Sequence, residues 1–182
     1  MAGRIEKNSP QEKRVFIGAG ALGIFFLALD LWTKWYIVTR FKLYETVPVL
    51  PPVLNFTSVR NYGAAWSILS GKGWLLLCFA LVTAAGLIWF FRKLCEGCRE
   101  RYFAIMLLFA GIIGNSFDRC FRGAVVDFIH VHWKNVWHYP VFNVADIAIC
   151  CGVGLFIISN LLRKSRRESD ARGKDSSSGQ DK

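Results

Sequence analysis

GWLLLCFALVTAAGLIWFF, residues 73–91, runs for 19 positions without an Asp, Glu, Lys or Arg. Soluble helices and strands rarely carry an unbroken apolar run beyond about 8–12 residues, whereas about 20 apolar residues in a helix cover the ~30 Å of hydrocarbon in a bilayer. Val15–Leu29, Tyr102–Phe117 and Ile147–Leu162 repeat the pattern over 15, 16 and 16 uncharged residues. Four such stretches in a chain of 182 residues, 53% of them apolar or aromatic and only 20% charged, exclude most soluble classes. They predict an all-α polytopic membrane protein with four transmembrane helices at about 15–36, 73–91, 102–118 and 144–162, forming one domain over residues 15–162.

The charges orient these spans. Arg4, Lys7, Lys13 and Arg14 precede the first span, Arg92, Lys93, Arg99 and Arg101 lie between the second and third, and seven more bases follow from Arg163 on. That places 15 of the 23 Lys and Arg on one side. Cytoplasmic loops carry such an excess, so both termini are expected in the cytoplasm, with residues 1–14 as a cytoplasmic segment. Trp32, Trp35, Tyr36, Trp74, Trp133, Trp137 and Tyr139 then fall at the outer interface. The net charge of +10 is accounted for by topology, and no nucleic-acid partner is expected. The basic tail, residues 163–182, rich in Ser, Gly and Asp, reads as a segment without regular structure resting on anionic head groups. The first span has the basic flank and apolar core of a signal peptide, but Asp30-Leu-Trp-Thr-Lys-Trp follows it instead of a small-residue cleavage site, so it reads as retained. Between spans one and two, Pro48, Pro51 and Pro52 punctuate a loop whose Val47–Leu50 and Val53–Val59 segments predict short strands and a small β-sheet on the outer leaflet.

In this topology four scarce acids, Asp30, Asp118, Asp127 and Asp146, gather toward the outer face. Carboxyl groups at that depth are costly and mark a functional site by default. Asp127 and Asp146 are the strongest pair. They lie 19 residues apart, too far to be neighbours on one helix, yet they face each other if one follows span three and the other opens span four. Two carboxylates at a low-dielectric boundary share one proton, and one then serves as general base on water while the other donates to the carbonyl or leaving amine. The competing reading has each Asp capping a helix or pairing with Arg119 or Arg122. Asp118 and Arg119 read as an ion pair that positions the loop. Asn115 lies one turn earlier, and Asn143, three residues before Asp146, either shares its helix face or caps the helix. Asn61-Tyr62-Gly63-Ala64-Ala65-Trp66 offers small residues for close approach of backbone to ligand, or else a plain turn. Cys95 and Cys98 form a lone CxxC, weak by itself. His130, His132 and His138 with Asp127 have the donor types for zinc, but no HExxH helix is present, so neither a metal nor another cofactor is expected.

Taken in order, five blocks carry a resemblance: Asp30-Leu-Trp-Thr33-Lys34, Asn61-Tyr-Gly63-Ala64-Ala65-Trp66, Gly114-Asn115-Ser-Phe-Asp118-Arg119, Val125-Val126-Asp127-Phe128 and Phe142-Asn143-Val-Ala145-Asp146. The sequence resembles the bacterial lipoprotein signal peptidases, also called signal peptidase II or prolipoprotein signal peptidase. The resemblance implies an aspartic endopeptidase that cleaves signal peptides just before a diacylglyceryl-modified cysteine, with Asp127 and Asp146 as the catalytic dyad. Asp30, Lys34, Asn61, Gly63, Asn115, Asp118, Arg119 and Asn143 become supporting or substrate-contacting positions. It further implies diacylglyceryl-modified prolipoproteins and the lipid bilayer as partners, a monomer, and a place in the bacterial cytoplasmic (inner) membrane with the site facing outward. Leu31 and Trp66 depart from the Gln and Phe common in the family. The alternative from another class is a small proton-coupled transporter using the intramembrane carboxylates, although no internal repeat or interrupted pair of spans is visible.

Overall fold

Ser9-Pro10-Gln11-Glu12 starts the first helix by local chemistry. The Ser9 hydroxyl accepts from the Glu12 amide at 3.1 Å, Pro10 occupies a first-turn position that needs no amide proton, and Glu12 faces the positive end of the helix dipole. The helix, α1, then runs Pro10–Arg40, 31 residues, longer at both ends than the sequence predicts. The computed structural model describes residues 5–63, 71–134 and 136–178, with side chains to residue 165. After α1 come strands β1 (Thr46–Leu50) and β2 (Leu54–Asn61), helices α2 (Gly73–Trp89), α3 (Phe91–Cys95) and α4 (Arg99–Arg122), strands β3 (Val125–Trp133) and β4 (Trp137–His138), and helix α5 (Val144–Ser178).

Three of these helices, α1, α4 and the Val144–Ser165 part of α5, are long and apolar enough to cross a membrane. The charge-free stretch around α2 forms 17 residues of helix and breaks at Phe90 (φ −95°, ψ 6°), after which α3 continues to Cys95. No α2 residue is buried, and Leu81, Val82 and Ile88 present their apolar surface outward. The same holds for Ile17, Ile24 and Phe25 on α1 and Ile157 and Ile158 on α5, as expected where the surrounding solvent is lipid. Small residues let the spanning helices approach closely: a Cβ on Gly152 of α5 would meet the Ala104 carbonyl of α4 at 2.7 Å. Helix α5 does not stop at Leu162 as expected. It continues to Ser178 through a stretch with no proline to stop it, in which Arg163, Lys164, Arg166, Arg167, Glu168 and Ala171 are good helix formers.

The sheet is larger than predicted and is not confined to the first loop. It has four antiparallel strands in the order β1-β2-β3-β4, the last two supplied by the segment between α4 and α5. Val125-Val126-Asp127-Phe128-Ile129 is β-branched and aromatic enough to form a strand, a signal the sequence reading passed over. Strands β2 and β3 pair with Val59 opposite Asp127 and Asn61 opposite Val125, with a register shift between Phe56 and Val59. Below the sheet, Ile37, Val126, Phe128 and Val144 form a buried cluster joining α1, β3 and the start of α5. A second cluster, Ala19, Cys95, Tyr102 and Ile105, closes the other end of the helices.

Candidate active site

Asp30 and Lys34 sit one turn apart on α1, so their side chains leave the helix on the same face. Lys34 Nζ lies 2.8 Å from Asp30 Oδ2 and 3.1 Å from Asp118 Oδ2 on α4, and all three side chains are fully buried. A buried ammonium is stable only where its protons are taken up, and here a third goes to Asn115 Oδ1 at 2.9 Å. Both acids also accept from backbone amides. Asp30 Oδ1 accepts from the Ala145 amide at 2.8 Å, and Asp118 Oδ2 accepts from the Val126 amide at 3.0 Å. The charge cluster thereby ties α1 and α4 to the first residues of α5 and β3, which carry Asp146 and Asp127. Gly114 makes room for it, because a Cβ there would meet Asp30 Oδ2.

Asn115 passes this order to the dyad. Lys34 can only donate, so it fixes the Asn115 carbonyl toward itself, and the Asn115 amide nitrogen then donates to Asp146 Oδ1 at 2.8 Å. Asn143 and Asp146 hold each other across the first turn of α5: the Asp146 amide donates to Asn143 Oδ1 at 2.9 Å, and the Asn143 amide donates to Asp146 Oδ2 at 3.2 Å. This reciprocal cap leaves Asn143 Nδ2 pointing inward, where it donates to Asp127 Oδ1 at 2.7 Å and to Asn115 Oδ1 at 3.1 Å. Sharing a face with Asp146 and capping the helix are therefore both true of Asn143. The other oxygen of Asp127 accepts from Asn61 Nδ2 at 2.9 Å, across the β2–β3 pair. Asn61 Oδ1 in turn accepts from the Gly63 amide at 2.9 Å.

Asp127 is nearly inaccessible on its strand. Burial, and then the neighbouring Asp146 charge, push its carboxyl up to about 7, against the opposing pull of the Asn61 and Asn143 amides and of Lys34. It is thus an acid poised to hold a proton near neutral pH beside a second carboxylate.

One expected pairing is not formed. Asp118 and Arg119 are adjacent on a helix, so their side chains diverge by about 100°. Asp118 pairs with Lys34 and with Arg122, one turn along. Arg119 instead donates to backbone carbonyls, Nη1 to Asn115 at 3.3 Å and Nη2 to Gly63 at 3.2 Å, so it ties the loop after β2 to α4. The sequence offered Arg122 only as a partner for Asp127 or Asp146, although its i, i+4 spacing from Asp118 signalled the pair that forms. The sequence reading missed the Ala145 and Val126 amides, which no side-chain pattern marks. Ala64, Ala65 and Trp66 of the second block lie outside the described residues. Leu31 and the histidines stay out of the dyad's hydrogen bonds: His130, His132 and His138 lie ring against ring on β3 and β4, with ring centroids 5.3–5.9 Å apart.

Residues 22–162, which contain every member of this network, match the family described as Signal peptidase (SPase) II. The chain belongs to the signal peptidase II family. It is 38% identical over 154 residues to the lipoprotein signal peptidase of Halalkalibacterium halodurans, covering 82% of this chain and 97% of the relative. To the lipoprotein signal peptidase of Haemophilus ducreyi it is 41% identical over 150 residues (80% and 92% covered), and to that of Bacillus subtilis 36% over 149 residues (82% and 96%). Two solved structures of bacterial membrane enzymes share the fold. One has a TM-score of 0.76 at 38% identity over 82% of this chain and 90% of its own, the other 0.71 at 35% over 88% and 97%. With its family and its long apolar helices, this signal peptidase II is a multi-pass membrane peptidase of bacterial type.

Proposed function

We propose that this protein removes signal peptides from prolipoproteins as an aspartic endopeptidase, cutting just before the diacylglyceryl-modified cysteine, with Asp127 and Asp146 as the catalytic pair. The observation that carries the aspartic mechanism is Asn143, which bonds both carboxylates and so holds a strand residue and a helix residue in one site. The proton of the pair resides on Asp127, whose carboxyl is raised to about 7. The other carboxylate takes a proton from water, the oxygen attacks the scissile carbonyl, and Asp127 donates to the carbonyl oxygen. As the C–N bond breaks, the first acceptor returns its proton to the leaving amine and Asp127 takes back the proton of one gem-diol hydroxyl, which restores the starting pair.

Asn61, Gly63, Asn115, Arg119 and Asn143 hold the acids and present backbone to the substrate, while Asp30, Lys34 and Asp118 brace them from within the membrane. Substrate geometry favours this place. A scissile bond whose next residue is lipid-anchored in the outer leaflet can be reached only at the membrane surface. Four spans, α2 with α3 forming the second, place both termini in the cytoplasm and the dyad at the outer face of the inner membrane, in agreement with the distribution of Lys and Arg. A monomer suffices for this chemistry, since one chain supplies both carboxylates and the groups that hold them. A proton-coupled transporter finds no support in the family to which the chain belongs.

The test is Asp127→Asn and Asp146→Asn, assayed on a diacylated and a non-lipidated precursor in parallel. Each substitution should lower cleavage of the diacylated precursor by about 10²–10⁴-fold or more while the protein stays folded and inserted. Normal processing by either variant overturns the assignment, and equal cleavage of both precursors overturns the substrate class.

A further inference from the structure

The opposite end of the helices carries a groove that the proposed peptidase chemistry does not use. Two adjoining cavities of about 380 and 350 Å³ share Glu12, Arg92 and Tyr102. One is walled by Phe16, Phe91 and Tyr102, with the rings edge to face at 5.7–5.8 Å. The other is lined by Lys7, Arg92 and Lys93.

This wall is built rather than incidental. The Ile5 amide donates to the Gly97 carbonyl at 2.7 Å, Ile5 is buried, and a Cβ on Gly97 would meet the Ile5 carbonyl at 2.6 Å, so the chain before α1 is clamped over the α3–α4 turn. The two acids nearby already have partners. Glu12 accepts from the Tyr102 hydroxyl and from the Asn8 amide, and Glu96 lies 3.2 Å from Arg101 Nη1. Among the described residues, Lys7, Lys13, Arg92 and Lys93 take part in no salt bridge. Depth is set by the helices: Glu12 and Phe16 lie in the first two turns of α1 and Tyr102 in the first turn of α4, where the charge-free stretches begin. Glu12 is about 27 Å along α1 from Asp30, close to the hydrocarbon thickness.

We propose that this groove binds an anionic glycerophospholipid of the leaflet opposite the carboxylate dyad, with its phosphate among Lys7, Arg92 and Lys93 and its acyl-glycerol portion against Phe16 and Phe91. An amphiphile matches both halves of the groove, whereas an acidic peptide would leave the aromatic half against water. The bilayer also supplies the ligand at this depth, so binding loses little translational freedom. The assignment rests on membrane insertion and is independent of the peptidase chemistry.

The test titrates the full-length protein, in neutral detergent micelles, with palmitoyl-oleoyl-phosphatidylglycerol, the matching phosphatidylcholine and glycerol 1-phosphate, reading the melting temperature and the bound lipid by native mass spectrometry. Phosphatidylglycerol should stabilise saturably at one lipid per chain, with the other two at least tenfold weaker. The double variant Arg92→Ala/Lys93→Ala should bind it about thirtyfold more weakly, and Lys7→Ala, which lies before α1 and perturbs no helix, about fivefold. Both should still cleave prolipoprotein in neutral lipid. Arg40→Ala/Lys42→Ala, at the other end of α1, should bind the lipid normally. Binding without saturation, or equal loss in the Arg40/Lys42 pair, overturns the site in favour of diffuse electrostatics. Glycerol 1-phosphate binding as tightly as the lipid overturns the lipid assignment in favour of an aqueous anion.

Discussion

Lys34 has no water to return to. Its ammonium is shared among Asp30, Asp118 and Asn115 inside the helix bundle, and removing it leaves Asp30 buried without a cation and Asp118 with Arg122 alone. Lys34→Met should destabilise the protein by about 3–5 kcal/mol, whereas the triple replacement Asp30→Asn/Lys34→Met/Asp118→Asn should recover a large part of that loss, because the only charge then left without its partner is Arg122, which is part-exposed. Melting temperatures in detergent decide it, and a triple variant no more stable than Lys34→Met would contradict the charge-pairing account. At the dyad, a carboxyl raised from 3.8 to about 7 means that the fold holds the proton where the unfolded chain has released it. Stability from this group is therefore lost as pH rises from about 4 to about 7, and cleavage that needs the protonated acid declines above pH 7. Asn61 donates to the ionised form and pulls the pKa down, so Asn61→Ala should move the alkaline limb of kcat/KM to higher pH while lowering its plateau. An unmoved or lowered limb in the pH–rate profile would show that Asp127 is not the group responsible.

Helix ends, more than helix interiors, aim the chemistry. The reciprocal cap between Asn143 and Asp146 starts α5, and the same Asn143 side chain reaches the strand acid, so a structural device and a functional contact share one residue. At the end of α4, Gly123 adopts φ +75° and turns the chain into β3, with open space around it. Gly123→Ala should therefore cost about 1–2 kcal/mol through the backbone alone, and Gly123→Asn less, because Asn tolerates this conformation. Gly114→Ala is a different case: its Cβ would meet the Asp30 carboxylate, so it should cost activity as well as stability. Thermal unfolding and prolipoprotein cleavage measured side by side separate the two, and a Gly114→Ala enzyme of full activity would remove the link between the buried charges and the dyad.

For the whole molecule, topology has the most direct test. Helix α2 is 17 residues long and is followed at once by α3, and together they reach from Gly73 to Cys95. At 1.5 Å per residue those 23 positions measure about 34 Å, enough for the hydrocarbon thickness only if α3 continues the direction of α2. Alkaline phosphatase, which is active only when exported, should be active when fused after Lys72 or Lys134 and inactive after Arg99 or Lys182. Activity at Arg99 would make α2 a re-entrant or interfacial helix and leave three spans.

The apolar stretches and the placement of Lys and Arg are local properties of the chain, and water and lipid read them residue by residue, so membrane class and a bundle of long helices were legible from sequence. Asp127 and Asp146 were legible as candidates for the same reason: acids are rare in such a chain and therefore conspicuous. Which groups meet was not. The sequence put Asp118 with its neighbour Arg119, while the fold pairs it with Lys34, 84 positions earlier in the chain, and with Arg122. The strand that carries Asp127 had a local signal in Val125–Ile129, but its pairing with β2, whose residues lie about 70 positions away, had none. Spacing along a chain fixes directions only within one helix or strand, and it sufficed to join Asn143 to Asp146. Distances between elements follow from how they pack, and packing alone brings that same asparagine to Asp127.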